Sequence, residues 1–156
     1  MRKNTCCFTG HRRLPDYKAE SIKKRLDQEV ENLINQGVTD FISGGAIGFD
    51  LMAAAVVAEK KKHHDSLRLI FALPCGNHNA RWSSSETDLL HSLLTHADEV
   101  ICLCDAYTPD CMRKRNEYMV NHSAHCICAL IHQRTGTSQT VNFAQRNALQ
   151  VINVAD

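Results

Sequence analysis

Three glycines stand close together in the segment SGGAIGFD, at positions 44, 45 and 48, between an apolar run and an alanine-rich run. Because glycine has no side chain, such a turn lets backbone N–H groups approach an anion at the start of the following helix. The spacing matches neither the GxGxxG dinucleotide fingerprint nor the GxxxxGK(S/T) phosphate-binding loop. The segment therefore predicts either a phosphate site or only a tight corner between a strand and a helix.

A second glycine-containing turn, RTGTSQT at positions 134–140, precedes another helix-like segment. Two such turns at neighbouring strand ends would form a cradle for a diphosphate or a nucleotide. Arg12 lies in a further loop, where its guanidinium could bind a phosphate through two hydrogen bonds, although it is also typical of a charged surface loop. Trp82 and Tyr107 could stack on a base or simply pack against the protein.

The polar residues of these loops make up one predicted ligand site. Asp50 has two interpretations, capping a buried helix or accepting a hydrogen bond from a ribose or base, and we favour capping. The helix-end histidines share no spacing typical of metal binding, so we predict no metal site. The predicted ligand-binding residues are Thr9, Gly10, His11, Arg12, Ser43, Gly44, Gly45, Ala46, Gly48, Asp50, Arg81, Trp82, Arg115, Asn116, Thr135, Gly136, Thr137 and Thr140.

The elements that would hold these loops alternate between short apolar runs and helical periodicity, which is typical of an α/β protein with a mostly parallel sheet. We predict about six strands, near residues 5–9, 40–43, 67–73, 99–104, 125–131 and 150–154. Helices are predicted near 18–36, 51–62 and 111–122, with others beginning at a Ser83 and Glu86 capping box and ending near 147. The runs ICLC and CICALI are apolar on both faces, so we expect helices on both sides of the sheet, in a three-layer sandwich.

Length and charge limit the classes of protein to which the chain can belong. Residues 1–156, with a net charge of +1, fit a single domain without a global field that would attract duplex DNA. No membrane helix or secretory signal is evident, so we expect a cytoplasmic protein with reduced cysteines. Cys102 with Cys104, and Cys126 with Cys128, are interpreted as small buried hydrophobic residues that share a strand face.

Four motifs, in order along nearly the whole chain, resemble the SLOG superfamily and in particular its YpsA/YoqJ-like branch. They are CCFTGHRRL at 6–14, FISGGAIGFDLMAAAVV at 41–57, RNEYMVNHS at 115–123 and TGTSQTVNFA at 135–144. The resemblance implies a Rossmann-like fold whose glycine turns bind nucleotides or molecules derived from them. The LOG phosphoribohydrolases and the DNA-processing protein DprA/Smf are relatives within this superfamily.

The resemblance to LOG enzymes also bears on catalysis. Those enzymes cleave the N-glycosidic bond of nucleoside monophosphates with an Arg and a Glu in motifs similar to RxxxM and PGGxGTxxE. Arg115 and Met119 match the first motif, whereas the second keeps Gly136 and Thr137 but has Thr140 in place of the glutamate. Chemistry of this kind relies on a carboxylate, so its absence argues against hydrolysis. Asp50 is the one credible substitute, because Glu117 is predicted to point away from Arg115 on helical spacing.

The leading hypothesis is a cytoplasmic domain that binds, senses or sequesters a nucleotide or a derivative such as ADP-ribose or an NAD-like molecule. The sequence identifies no cofactor besides this nucleotide ligand. The first alternative is an N-glycosidase or phosphoribohydrolase, with Asp50 and Arg115 as the catalytic candidates. The second is a single-stranded DNA-binding module similar to DprA, which the near-zero net charge and the lack of an aromatic ladder disfavour. From the resemblance we also expect a homodimer, and we expect no membrane partner.

Overall fold

Six apolar runs form the strands of one sheet in the computed structural model, which describes residues 2–156. Neighbouring strands are all parallel, and their order across the sheet is β4-β3-β2-β1-β5-β6. The predicted six-stranded α/β sheet with a Rossmann-like arrangement is confirmed. The strands are β1 (Thr5–Gly10), β2 (Asp40–Ser43), β3 (Arg68–Leu73), β4 (Glu99–Cys102), β5 (His125–Ala129) and β6 (Gln150–Asn153).

Five helices cover the two faces of the sheet. Three pack on one face: α1 (Asp16–Asn35), α2 (Phe49–Lys60) and α3 (Ser84–Leu94). The other face carries α4 (Cys111–Asn121) and α5 (Gly136–Arg146). All five begin or end within two residues of the predicted bounds, and the Ser83 and Glu86 capping box is present at the start of α3. None of the helices within residues 2–156 is both long and apolar enough to cross a membrane.

Alternation along the inner strands divides the core between the two faces, because successive side chains of a strand point in opposite directions. On β1, Cys6 and Phe8 pack with α1 and α2, whereas Cys7 packs with α4 and α5. Cys126 and Cys128 share the second face and are buried, as the sequence predicts. α2 is buried on nearly every side because its small alanines and valines let it approach the sheet closely.

The outermost strand corrects two expectations. β4 has only one neighbouring strand, and Cys102 of the run ICLC is exposed on the same face as Val100, which is 48% exposed, so the prediction that ICLC is covered on both faces is wrong. Cys104 is half-buried, so the prediction that Cys102 and Cys104 are both buried is also wrong. The physical reason is position in the sheet: Val100 is in register with Phe71 on the face that carries α1, α2 and α3, and α3 packs mainly against α2. An apolar run does not reveal whether its strand is central or peripheral.

Candidate functional site

The strand order reverses between β1 and β5, and a cavity of about 330 Å³ lies at the carboxyl ends of these strands. Parallel sheets characteristically bind ligands at such a switch point, because loops diverge there and leave a crevice. We call it the switch-point cavity. It is lined by Thr9, Gly10, His11, Arg12, Ala46, Asp50, Met112, Arg115, Asn116, Thr135, Gly136 and Thr137.

Two backbone donors of the β2–α2 turn, residues 44–48, bond within the protein. The N–H of Gly45 donates to the Ser43 hydroxyl at 3.2 Å, and the N–H of Ala46 donates to Asp50 Oδ2 at 3.4 Å. At the start of α2, the N–H of Phe49 donates to the carbonyl of His11 at 3.2 Å. These three N–H groups are therefore satisfied by the protein itself.

The glycines of the same turn are required for close packing. A Cβ atom on Gly44 would lie 2.7 Å from both Asp50 Oδ2 and Arg115 Cζ. Gly48 has a φ of +81°, and a Cβ there would lie 2.6 Å from the carbonyl oxygen of His11. Neither these glycines nor Gly45 lines the switch-point cavity, which receives only Ala46 and Asp50 from this segment. The glycines therefore lie outside the cavity lining, and their lack of side chains lets the lining residues Asp50 and Arg115 pack closely.

Arg115 places a buried positive charge at the cavity. Its side chain rises from α4 and is only 5% exposed. Its Nε donates to the Asn116 side-chain oxygen at 2.8 Å, one terminal nitrogen donates to the carbonyl of Gly44, and the other contacts the sulfur of Met112 at 3.7 Å. Burial lowers the Arg115 pKa, and the nearby Asp50 carboxylate opposes that shift. A buried guanidinium thus borders the cavity with only uncharged hydrogen-bond partners.

Asp50 does not cap α2, so that prediction is wrong. The N-cap residue is Gly48, and Asp50 lies in the first turn with its carboxylate directed toward Ala46 and the space above Gly44. Burial raises the pKa of Asp50 to about 6, while Arg115 and the Ala46 hydrogen bond act in the opposite direction. The site therefore places an acid with a raised pKa beside a buried cation.

The β5–α5 turn, residues 134–137, is held at its ends and open in the middle. Thr135 caps α5: its hydroxyl accepts from the N–H of Ser138 at 3.2 Å, and its own N–H donates to the Ser138 hydroxyl at 2.8 Å. The hydrogen bonds of the described residues include no acceptor for the N–H of Gly136 or Thr137, and both residues line the cavity. Sequence reasoning missed this reciprocal cap, although Thr135 and Ser138 have the required spacing.

His11 ties the two sides of the switch point together. Its Nε2 accepts hydrogen bonds from the N–H groups of Ile131 at 2.9 Å and His132 at 3.1 Å. An imidazole nitrogen that accepts is unprotonated, so His11 is neutral with its proton on Nδ1. Burial, and then His132, lower the His11 pKa. The residue predicted as a ligand contact is thus also a clamp between the β1 and β5 loops.

The remaining predicted residues occupy varied positions. Ser43 is buried and donates its hydroxyl to the Asp50 carbonyl at 2.9 Å. Thr140 donates to the Gly136 carbonyl at 3.0 Å. Arg81 is exposed and outside the cavity lining, and Trp82 packs edge-on against His78, with ring centroids 5.1 Å apart. The Tyr107 side chain is 65% exposed and also lies outside the lining.

A second cavity of about 460 Å³ lies between α4 and α5, and we call it the α4–α5 groove. It shares Met112, Asn116 and Gly136 with the switch-point cavity. Thr140 lines the groove rather than the first cavity, and Glu117, as predicted, faces away from the switch-point cavity. Of the lining residues, the sequence analysis did not select Pro109, Met112, Arg113, Gln139, Phe143 or Arg146.

Comparison with known proteins identifies sequence relatives. The sequence profile of the YspA SLOG family matches residues 7–152. The SPbeta prophage-derived protein YoqJ of Bacillus subtilis (strain 168) is 31% identical in a 141-residue alignment that covers 82% of this chain and 82% of YoqJ. The UPF0398 protein BH1768 of Halalkalibacterium halodurans is 32% identical in a 108-residue alignment that covers 65% of this chain and 55% of that protein.

Two solved structures share the fold. The X-ray structure of DNA processing protein A (DprA) from Streptococcus pneumoniae aligns with a TM-score of 0.68 and 18% identity, covering 96% of this chain and 49% of DprA. DprA from Helicobacter pylori, a protein with a single-stranded DNA binding mode, aligns with a TM-score of 0.64 and 15% identity, covering 94% of this chain and 63% of its own. At these identities the likeness shows the fold alone.

Proposed function

The chain belongs to the YspA SLOG family, and from that premise we propose that its switch-point cavity binds the phosphate of a nucleotide or of a nucleotide derivative. The observation that carries the proposal is Arg115, a buried guanidinium at the cavity whose hydrogen-bond partners are all uncharged. Burying a charge costs several kcal/mol unless an opposite charge and hydrogen bonds compensate it. The nearby Asp50 carboxylate supplies part of this compensation, and a bound phosphate would add a second opposite charge and further hydrogen bonds.

Two further groups support an anion at the same place. Arg12 is exposed at the rim, and its charge reaches the Asp50 carboxyl. The first turn of α5 presents the N–H groups of Gly136 and Thr137, where the helix dipole also favours negative charge. The cavity, at about 330 Å³, falls within the roughly 300–1,000 Å³ typical of small-molecule sites.

Calorimetry and thermal unfolding test the proposal. Wild-type protein is titrated with AMP, ADP, ADP-ribose and NAD, and its unfolding is followed with each ligand in excess. A ligand at about one hundred times its Kd adds about 2.7 kcal/mol of stability, which raises the Tm by roughly 5–10 °C for a chain of this size. Nucleotides that leave the Tm unchanged and release no heat would contradict the proposal.

Variants of the arginines connect binding to the site. Arg115→Gln and Arg12→Gln each remove a charge-assisted hydrogen bond, so we expect each to weaken binding about tenfold or more. Arg12 is exposed, so its replacement does not put folding at risk. Arg68→Gln is the matched control, because Arg68 lies at the amino end of β3 and pairs there with Asp40, whereas the cavity lies at the carboxyl ends of the strands. Equal affinity in all three variants would place the ligand elsewhere.

Asp50 supports a second candidate, hydrolysis of an N-glycosidic bond. Its carboxyl lines the cavity and has a pKa raised to about 6 by burial. In this reaction Asp50 accepts a proton from water as the water oxygen bonds to the anomeric carbon. The bond between that carbon and the base nitrogen breaks, and the base leaves with the electron pair and takes up a proton. Chromatography of nucleoside monophosphates incubated with protein tests this, and equal release of base by wild type and Asp50→Asn would exclude it.

Single-stranded DNA is the remaining alternative, motivated by the fold shared with the H. pylori DprA. A gel-shift titration with an oligothymidylate across a salt series separates it from nucleotide binding. Tight binding that weakens steeply with salt would favour DNA, because phosphate contacts release counterions.

A further inference from the structure

The α4–α5 groove continues directly from the switch-point cavity. Met112, Asn116 and Gly136 line both, so the two volumes are adjoining parts of one depression. Arg115 and Thr137 line only the switch-point end of this depression, and Gly136 lies at the junction. A ligand whose anion sits at that end therefore places its remaining atoms in the groove.

One wall of the groove is suited to a flat ring. Phe143 is half-buried, and the Arg146 guanidinium lies 6.0 Å from the centre of its ring. Met112, at the junction of the two cavities, is 36% exposed although it is apolar. Aromatic faces, guanidinium planes and polarisable thioether sulfurs all bind π systems favourably.

The charges of the groove disfavour other occupants. Arg113 is already paired with Glu117 at 3.2 Å and with Asp110 at 3.3 Å, so it offers little to a second phosphate. An alkyl chain would have to desolvate Arg113 and Glu117 without compensating them. The side-chain amides of Asn116 and Gln139, in contrast, match the donors and acceptors on the edge of a base.

We propose that the α4–α5 groove binds the base of the nucleotide whose phosphate occupies the switch-point cavity, with Phe143 and Arg146 as specificity-determining residues. The proposal rests on the proposed function and refines it. The proposed function places the phosphate of a nucleotide, and this inference assigns the site of its base, so ribose phosphates, which lack the ring, should bind more weakly.

The experiment compares AMP, ribose 5-phosphate and inorganic phosphate by calorimetry. Wild type should bind AMP about five- to a hundredfold more tightly than ribose 5-phosphate, because stacking of one base on an aromatic side chain is typically worth a factor in that range. Phe143→Leu, which keeps an apolar side chain in the core, should remove most of this preference and leave ribose 5-phosphate binding unchanged. Arg146→Gln, on an exposed side chain, should weaken AMP binding about two- to fivefold.

Gln145→Ala is the matched control, because Gln145 is exposed on the same helix and does not line the groove. Equal affinity of wild type for AMP and ribose 5-phosphate would overturn the inference while leaving a phosphate site in place. An equal loss of both affinities in Phe143→Leu would overturn it as well, since that result indicates general damage. Should Phe143→Leu fail to fold, unchanged AMP binding by Arg146→Gln decides against the inference. A lack of AMP binding would overturn the inference, and if ADP, ADP-ribose and NAD do not bind either, the proposed function fails as well.

Discussion

The two glycine-containing turns of this protein lie at the carboxyl ends of strands of one sheet and differ in whether their unbonded N–H groups belong to residues that line the cavity. In the β2–α2 turn, the N–H groups of Gly45 and Ala46 bond to Ser43 and Asp50. Those of Ile47 and Gly48 have no acceptor among the described residues, but neither residue lines the cavity. In the β5–α5 turn, the N–H groups of Gly136 and Thr137 have no acceptor among the described residues, and both residues line the cavity. Glycine content therefore does not identify an anion site, whereas the destination of each N–H group does.

The same comparison separates two uses of a missing side chain. Gly44 and Gly48 leave room for atoms of the protein itself, whereas nothing lies within 4 Å of a Cβ placed on Gly136. The first turn is thus a packed support that positions Arg115 and Asp50. The second is open to whatever occupies the cavity.

The largest expected effect comes from adding one methyl group to each turn. Gly48→Ala forces a side chain into a φ of +81° and against the His11 carbonyl, so we expect it to lose about 2–5 kcal/mol of unfolding free energy. Gly136→Ala, at the first position of α5, is the matched control, and we expect it to leave the unfolding free energy unchanged or to raise it by up to about 1 kcal/mol. Urea unfolding measures both. Equal losses in the two variants would abolish the distinction between a packed and an open turn.

The second-largest expected effect concerns the raised pKa of Asp50, whose carboxyl packs against the β2–α2 turn. The pKa of Asp50 is raised from 3.8 to about 6, so between these values the folded state binds the proton more tightly than the unfolded state does. Ionisation of Asp50 therefore lowers the free energy of unfolding as the pH rises between these two pKa values, by about 3 kcal/mol in all. Asp50→Asn should gain stability relative to wild type from pH 4 to pH 7. If the difference in unfolding free energy between wild type and Asp50→Asn does not change with pH, folding does not raise the Asp50 pKa.

The smallest expected effect concerns His11, which accepts hydrogen bonds from the loop between β5 and α5. His11→Ala leaves the N–H groups of Ile131 and His132 without their acceptor, which should cost about 1–2 kcal/mol. The His11 pKa lies below 6.5, so its contribution is complete above pH 6.5 and is lost as pH falls through the lowered pKa. His11→Gln, with an oxygen acceptor that does not titrate in this range, should lose less and should remove that pH dependence. Denaturant unfolding at pH 5 and pH 7.5 distinguishes the three proteins.

Local features of this fold were predictable and long-range ones were not. The strands, the helices and the Ser83 cap follow from periodicity and spacing, which act over a few residues. Helical spacing also places Glu117 away from the switch-point cavity. The exposure of Val100 depends on strand order, which hydrophobic pattern does not encode.

The same distinction between local and long-range features applies to the residues of the site. Arg115 was identified by resemblance to a motif, and its lack of a charged hydrogen-bond partner became visible only in three dimensions. Asp50 was expected to cap α2 because acids commonly do so, yet Gly48 occupies that position and packing against Gly44 decides where the carboxylate lies. Met112 and Phe143 carried no motif, since the groove they line exists only where α4 and α5 meet.

The pairing of β1 with β5 has a consequence for the order in which the protein is made. β1 pairs with β2, but Cys6 is also in register with His125 and Gly10 with Ala129 of β5, which is synthesised more than one hundred residues later. The β1–β4 side of the sheet can collapse on α1, α2 and α3 while the ribosome is still adding residues. Pairing with β5 closes a long loop, and such non-local contacts form slowly. Because the switch-point cavity is lined by the loops after β1 and β2 and by the first turn of α5, it is complete only after translation has passed α5.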